Sequence, residues 1–146
     1  MRRALALAHE AARQGEVPVG AVIIGPDGTV LAEAHNLVET LNDPTAHAEM
    51  LAVRQACEAL GASRLSGCAL YVTLEPCAMC AGALAAARVA RVYFGAYDPK
   101  SGGVEQGACV FSHPQSHHKP EVYGGLLELE CMAVLQTFFR DRREGA

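Results

Sequence analysis

The sequence predicts an α/β protein in which a mixed central β-sheet lies between helices, forming a three-layer α/β/α sandwich. Three observations lead to that class. Segments with helical apolar spacing alternate with short β-rich segments along the chain. The β-rich segments are bounded by Gly, Pro, Asn and Asp turn chemistry. At 146 residues and 51% hydrophobic, the chain also has enough apolar material to cover such a sheet on both faces.

The first element is a helix over about residues 2–14, where Leu5, Ala8 and Ala12 recur at helical spacing and Gly15 supplies a stop. Residues 17–24 and 29–34 read as strands, and Gly25-Pro26-Asp27-Gly28 between them carries hairpin chemistry. After a polar stretch over 36–42, Asp43-Pro44-Thr45 offers a cap residue and an early-turn proline for a second helix ending near Leu60. Residues 69–73 predict a short buried strand, Pro76 opens a third helix through about Ala87, and 89–94 predict another strand. The segment 95–125 is turn-rich, and its length points to a functional loop or to short elements without a clear signature. A helix over about 126–140 closes the chain.

No repeat, low-complexity tract or linker divides the sequence, so residues 1–146 are expected to form a single domain. Met1-Arg2-Arg3 and the Ala/Leu run after it imitate a signal peptide, but His9, Glu10 and Arg13 interrupt the apolar region. No apolar run approaches the roughly 18 residues of a membrane span, and a soluble cytoplasmic protein without membrane attachment is expected. The net charge of −4 argues against binding nucleic acid through bulk positive charge, so any RNA contact needs a local patch. The six cysteines, in a long apolar chain without a secretion signal, point to metal binding or burial rather than disulfides.

Two short segments concentrate the reactive side chains: His47-Ala48-Glu49 and Pro76-Cys77-Ala78-Met79-Cys80. Each lies near the start of a predicted helix. Cys77 and Cys80 are three residues apart, so their sulfurs can converge on one ion, and a helix N-terminus favours the thiolate that a metal requires. His47 would raise the count to three protein ligands, the number of a catalytic zinc site that leaves its fourth position to water. Glu49 lies about 200° from His47 around an ideal helix. First-turn side chains lean toward the helix N-terminus, however, so both can reach over the same end. A carboxylate there, free of the metal, could take a proton from a zinc-activated water and pass protons to a leaving amine.

Other readings of the same residues exist. A lone Cys-x-x-Cys also marks a structural zinc ribbon or a redox pair. A structural site would need a fourth ligand, for which Cys57, Cys68, His113, His117 and His118 compete, and its functional counterpart is a noncatalytic zinc-stabilised RNA-binding module. Cys57, Cys68, Cys109 and Cys131 lack paired spacing and read as small buried residues.

His-x-Glu followed by Pro-Cys-x-x-Cys resembles the zinc-dependent cytidine/deoxycytidylate and adenosine deaminase superfamily. Within it the chain is similar to the bacterial tRNA-specific adenosine deaminases through Glu16-Val17-Pro18-Val19-Gly20-Ala21-Val22, Asp43-Pro44-Thr45-Ala46-His47-Ala48-Glu49 and Thr73-Leu74-Glu75-Pro76-Cys77-Ala78-Met79-Cys80-Ala81-Gly82. The likeness continues in Phe94-Gly95-Ala96, Asp98 and Phe138-Phe139-Arg140, and so spans nearly the whole chain.

The resemblance implies a cytidine-deaminase-like α/β/α sandwich and one Zn2+ per subunit held by His47, Cys77 and Cys80. It also implies that Glu49 shuttles protons while adenosine is hydrolysed to inosine at the wobble position of a tRNA anticodon stem-loop, and that the protein is a homodimer. By the same resemblance Asn36 hydrogen-bonds the nucleoside, the Ala48 backbone N–H contacts the base, and Val19 walls the pocket. Asp98 would touch the RNA backbone and Phe139 would shape the loop-binding surface. Without the resemblance, Asn36 is a turn residue, Val19 a core position, Asp98 a solvated loop charge and Phe139 a buried aromatic. Arg140, Arg142 and Arg143, with Lys100 and Lys119, offer phosphate contacts, although a basic helix end also answers the helix dipole. The same zinc machinery would serve a free base or small nucleoside, such as guanine or cytosine, which is the alternative substrate class.

Overall fold

A computed structural model describes residues 1–145. In chain order the elements are α1 (Arg2–Arg13), β1 (Gly20–Ile24), β2 (Val30–His35), α2 (Val38–Leu41), α3 (Ala48–Leu60), β3 (Ala69–Leu74), α4 (Ala78–Ala86), β4 (Arg91–Ala96), a 3-10 turn (Val110–Ser112), β5 (Glu121–Tyr123) and α5 (Glu128–Glu144). The five strands form one sheet in the order β2-β1-β3-β4-β5. β1 runs antiparallel to both β2 and β3, whereas β3, β4 and β5 are parallel. The expected three-layer α/β/α arrangement around a mixed sheet is therefore present.

Strand alternation sends side chains to opposite faces. Ala21 and Ile23 of β1 join Ala48, Ala52 and Ala56 of α3 in the core. Gly20, which precedes Ala21 and so takes the other face, meets α1, where an added Cβ would come within 2.0 Å of the Ala4 carbonyl oxygen. Gly95 of β4 is likewise pressed against α5, 2.4 Å from the Cys131 sulfur at the position a Cβ would take. Ala4, Ala8 and Ala11 complete the close approach by burying the inner face of α1.

Element boundaries depart from the sequence reading for local reasons. The second long helix begins at Ala48 instead of 43, because Asp43 makes its own turn: its Oδ1 accepts from the Thr45 N–H at 2.8 Å and from the Thr45 hydroxyl at 2.7 Å. The next helix begins at Ala78 rather than at Pro76, since Cys77 is still extended. The polar stretch after β2 holds the four-residue α2, and the segment 95–125 holds the 3-10 turn and β5. These are too short for a periodic signal.

The carboxyl ends of β2, β3 and β4 and the entry to β1 all meet at one end of the sheet. There the strand order switches, with β2 on one side of β1 and β3 to β5 following on the other, and such a switch point is where open α/β sheets commonly bind ligands.

Candidate active site

Both long helices on the inner face begin at this end. His47 is the N-cap residue of α3 and Cys77 that of α4, each with extended backbone. His47 Nδ1 lies 3.6 Å from the Cys77 sulfur and 3.5 Å from the Cys80 sulfur. Tetrahedral zinc, with Zn–S of about 2.3 Å and Zn–N of about 2.0 Å, would separate nitrogen from sulfur by about 3.5 Å. The spacing and the soft donor set both fit that ion. Among the described residues no fourth His, Cys, Asp or Glu joins the cluster, so Cys57, Cys68, His113, His117 and His118 do not complete a closed structural site. None of the cysteines forms a disulfide, and of the four outside the cluster Cys68 and Cys131 are buried while Cys57 and Cys109 are half-buried.

Hydrogen bonding from the Cys80 thiol, aided by His47 and against the push of burial, brings the Cys77 thiol down to a pKa of about 4. Cys80 is pushed upward by that same bond and by burial, and Cys77 in turn raises His47. Cys77 is thus a ready thiolate at a helix N-terminus. Glu49, the second residue of α3, is 4% exposed, and its burial raises the carboxyl to about 7. It faces the same pocket as His47 and Cys77.

That pocket encloses about 290 Å³. Val19, Asn36, His47, Glu49, Cys77 and Asp98 all line it, so six of the sequence-assigned residues converge. Cys80 is buried behind them. The Ala48 N–H does not line the pocket: Ala48 is fully buried, and its N–H donates to Asn36 Oδ1 at 2.8 Å. That bond fixes the amide orientation of Asn36, itself a pocket-lining residue, and leaves Nδ2 as its remaining donor. Phe139 is outside the pocket and 43% exposed, where it borders an adjoining groove of about 990 Å³ together with Asp98, Lys100 and Arg143.

The basic residues separate. Lys119 precedes β5 at the opposite end of the parallel strands, where Glu121 pairs with Arg91, and it is remote from the groove. Arg140 pairs with Asp141. Arg142 donates to the Gly15 carbonyl at 2.6 Å, sits 4.8 Å from the centre of the Phe138 ring, and borders both pocket and groove.

Sequence reasoning assigned no role to Glu16, Glu75 or α2, yet all three build the pocket wall. Glu16, 1% exposed, accepts from the N–H groups of Glu39 and Thr40 at 3.1 and 2.7 Å and from the Thr40 hydroxyl at 2.6 Å, which holds α2 by its first turn. Glu75 gathers four backbone N–H groups of the segment after β4. Both lie in the strings that carry the resemblance, but the local signal for either was only an acidic residue among apolar ones, since partners more than twenty residues away leave no spacing to read.

Hydrolytic loss of an amine asks for an activated water and a proton carrier side by side, and this end of the sheet sets a His/Cys/Cys group able to hold a metal beside a buried carboxyl. The class is that of deaminases with a cytidine-deaminase-like fold. A family model described as MafB19-like deaminase matches residues 1–143. The tRNA-specific adenosine deaminase of Agrobacterium fabrum (strain C58) is 53% identical over 143 residues, which is 98% of this chain and 93% of that protein. A solved structure from a study of A-to-I editing by tRNA:A34 deaminases at the wobble position of transfer RNA aligns with a TM-score of 0.90 at 53% identity, over 92% of this chain and 97% of that one. A guanine deaminase from Bacillus subtilis aligns with a TM-score of 0.65 at 36% identity, over 95% and 90% of the two chains. The chain belongs to the MafB19-like deaminases and, among them, to the tRNA-specific adenosine deaminase family. Among the described residues, no helix is long and apolar enough to cross a membrane.

Proposed function

We propose that this chain hydrolyses adenosine to inosine at the wobble position of a tRNA anticodon stem-loop, consuming water and releasing ammonia. The observation that carries this reading is the junction of two cavities. A pocket of about 290 Å³, sized for a base, holds Glu49 and the His47-Cys77 edge of the metal cluster. It opens at Asp98 and Arg142 onto the larger groove that presents Lys100, Arg143 and Phe139. A loop base splayed from its stack can enter the first while its flanking nucleotides occupy the second.

One Zn2+ per subunit, held by His47, Cys77 and Cys80, would supply the Lewis acidity that ionises water near neutral pH. Glu49 takes a proton from the attacking water and passes it to the adjacent ring nitrogen. It then carries the proton of the added hydroxyl to the departing amino group, so that C=O forms as ammonia leaves and a single carboxylate serves both halves of the reaction. Its burial keeps competing water away from that transfer. Asn36 Nδ2 donates to an acceptor on the base, and Val19 packs on the base's face. The Ala48 N–H, already engaged by Asn36, contacts the base only by sharing that donor. Asp98 meets the RNA backbone at the pocket mouth, and Phe139 stacks on or supports a flanking nucleotide.

Residues 1–146 work as one cytoplasmic domain, and two copies form a homodimer; sedimentation at the assay concentration tests the latter, and a fully active monomer would remove it. The functional test is inosine formation in a stem-loop with adenosine at the wobble position, beside a panel containing guanine, cytosine and free adenosine. Zinc-loaded protein is expected to convert the stem-loop, and Glu49→Ala to keep zinc while losing at least about a hundredfold in turnover. Ammonia from guanine alone would move the assignment to a free-base deaminase. Silence on every substrate would favour the RNA-binding module.

A further inference from the structure

Glu75 is 2% exposed, and no ion pair involves it among the described residues. What its carboxylate meets is backbone. Oε1 accepts from the Asp98 N–H at 3.1 Å, and Oε2 accepts from the N–H groups of Val104, Glu105 and Gln106 at 3.2, 2.8 and 2.9 Å. One side chain therefore grips both ends of the segment 98–106. The middle of that segment lies on the strand end that delivers Cys77. Gly103 donates to the Pro76 carbonyl at 2.8 Å, and Gly102 forms a bridge with Cys77. The fit at Gly102 is close: an added Cβ would stand 2.7 Å from the Glu75 carboxylate and 2.5 Å from the Asp98 carbonyl oxygen. The gripped segment carries Asp98 and Ser101 into the pocket wall and Lys100 into the groove.

We propose that Glu75 is a positioning residue for substrate binding. By clamping residues 98–106 to the Glu75-Pro76-Cys77 strand end, it fixes Asp98, Lys100 and Ser101 at the junction of pocket and groove. It governs how firmly the nucleoside and its flanking backbone are held, not the proton transfers at Glu49. Four convergent N–H groups on a buried carboxylate form a rigid, charge-assisted attachment, stronger than hydrogen bonds between neutral groups. The inference rests on the deaminase reading above, and wild-type turnover tests that reading separately.

The test uses the zinc-loaded full chain and two variants. Glu75→Gln keeps the shape but turns an NH2 group toward N–H donors. Gly102→Ala leaves Glu75 intact and displaces the segment sterically, so it carries the test if Glu75→Gln does not fold. The readouts are zinc content, hydrogen exchange at the amides of residues 98 and 104–106, and steady-state kinetics on whichever panel substrate the wild type turns over. In both variants zinc should stay at one per chain and those amides should exchange at least about tenfold faster. KM should rise about tenfold while kcat stays within about twofold, the signature of lost ground-state binding. Faster exchange with unchanged KM would overturn the proposal, because the segment would be loose without the substrate responding. A kcat that falls in step with zinc content would also overturn it and make Glu75 a support of the metal cluster. A wild type inactive on the whole panel would instead defeat the deaminase reading, and this inference with it.

Discussion

Asn36 joins two functions that substitution can separate. Its Oδ1 accepts the N–H of Ala48, the first residue of α3, which leaves Nδ2 as the remaining donor of a residue that lines the pocket. Ala48 is fully buried, so Asn36→Ala strands an N–H donor where water cannot reach it, at a cost of about 1–3 kcal/mol. Taking roughly 2 kcal/mol as the midpoint, a domain of this length should lose about 4–8 °C in Tm. Asn36→Asp keeps an acceptor for Ala48 and should stay within about 1 kcal/mol of the parent, but it presents oxygen to the base where nitrogen donated. Both variants forfeit the substrate bond, worth about 1–3 kcal/mol, so kcat/KM should fall about 5- to 150-fold in each. Thermal unfolding and steady-state kinetics on the same zinc-loaded preparations give the two numbers. An Asp variant with parental kcat/KM would refute the contact to substrate, and an Ala variant with parental Tm would refute the view that Asn36 fastens the start of α3.

Glu16→Gln should destabilise the protein by about 1–3 kcal/mol at pH 7, by loosening the first turn of α2. Burial pushes the Glu16 carboxyl up, but the hydrogen bonds from Thr40 and Glu39 outweigh it and leave the folded pKa lowered. The stabilisation is therefore complete above the unfolded value of about 4.3 and lost as pH falls through the folded one, so denaturant midpoints of parent and variant should converge in acid. Equal midpoint differences at pH 7 and in acid would count against it. Gly20→Ala places a methyl 2.0 Å from the Ala4 carbonyl and should cost at least about 1–3 kcal/mol by displacing α1, read by urea unfolding. Removing zinc with a chelator should abolish turnover and lower Tm, and zinc should restore both; undiminished turnover after chelation to below 0.1 ion per chain, roughly, would contradict the metal assignment.

How much of this was legible follows from the range over which each interaction acts. The layers and most element positions were readable because helical and strand periodicities are local. Each half of the cluster was readable locally, since Cys77 and Cys80 share one turn and His47 and Glu49 one helix start, but joining halves thirty residues apart rested on the family resemblance. Asp43-Pro44-Thr45 misled because a capping residue and an Asx turn use the same side-chain oxygen, and only the geometry tells which amide it meets. Lys119 looked like a partner of Lys100 in one loop, but it leads into β5, whose first residue pairs with Arg91 at the far end of the parallel strands.

Three buried wall residues share one design: Glu16 and Glu75, to which sequence reasoning assigned no role, and Asn36, which it assigned to the substrate but not to a helix start. Glu16 stands before β1, Asn36 after β2 and Glu75 after β3, so the sheet brings all three to the same end. Each is buried, and each directs its side-chain oxygen to backbone N–H groups of a segment too short or irregular to hold itself: α2, the start of α3, and residues 98–106. The helix start is the informative case. An N-cap normally satisfies its own first-turn amides, but His47 and Cys77 turn their side chains toward each other and Cys80 and make no side-chain cap bond. Asn36 takes over that role for α3 from across the fold. The same logic reconciles an acidic chain with the proposed RNA substrate. The carboxylates of Glu16 and Glu75 are answered by inward N–H groups, while Lys100 and Arg143 border the groove where a phosphate backbone would run. Neutralising Lys100 and Arg143 together should therefore weaken stem-loop binding and flatten its salt dependence, whereas the same change made at Lys119 should do neither. A stem-loop titration across a salt series would decide it, and equal slopes for the two variants would mean that the RNA does not follow this groove.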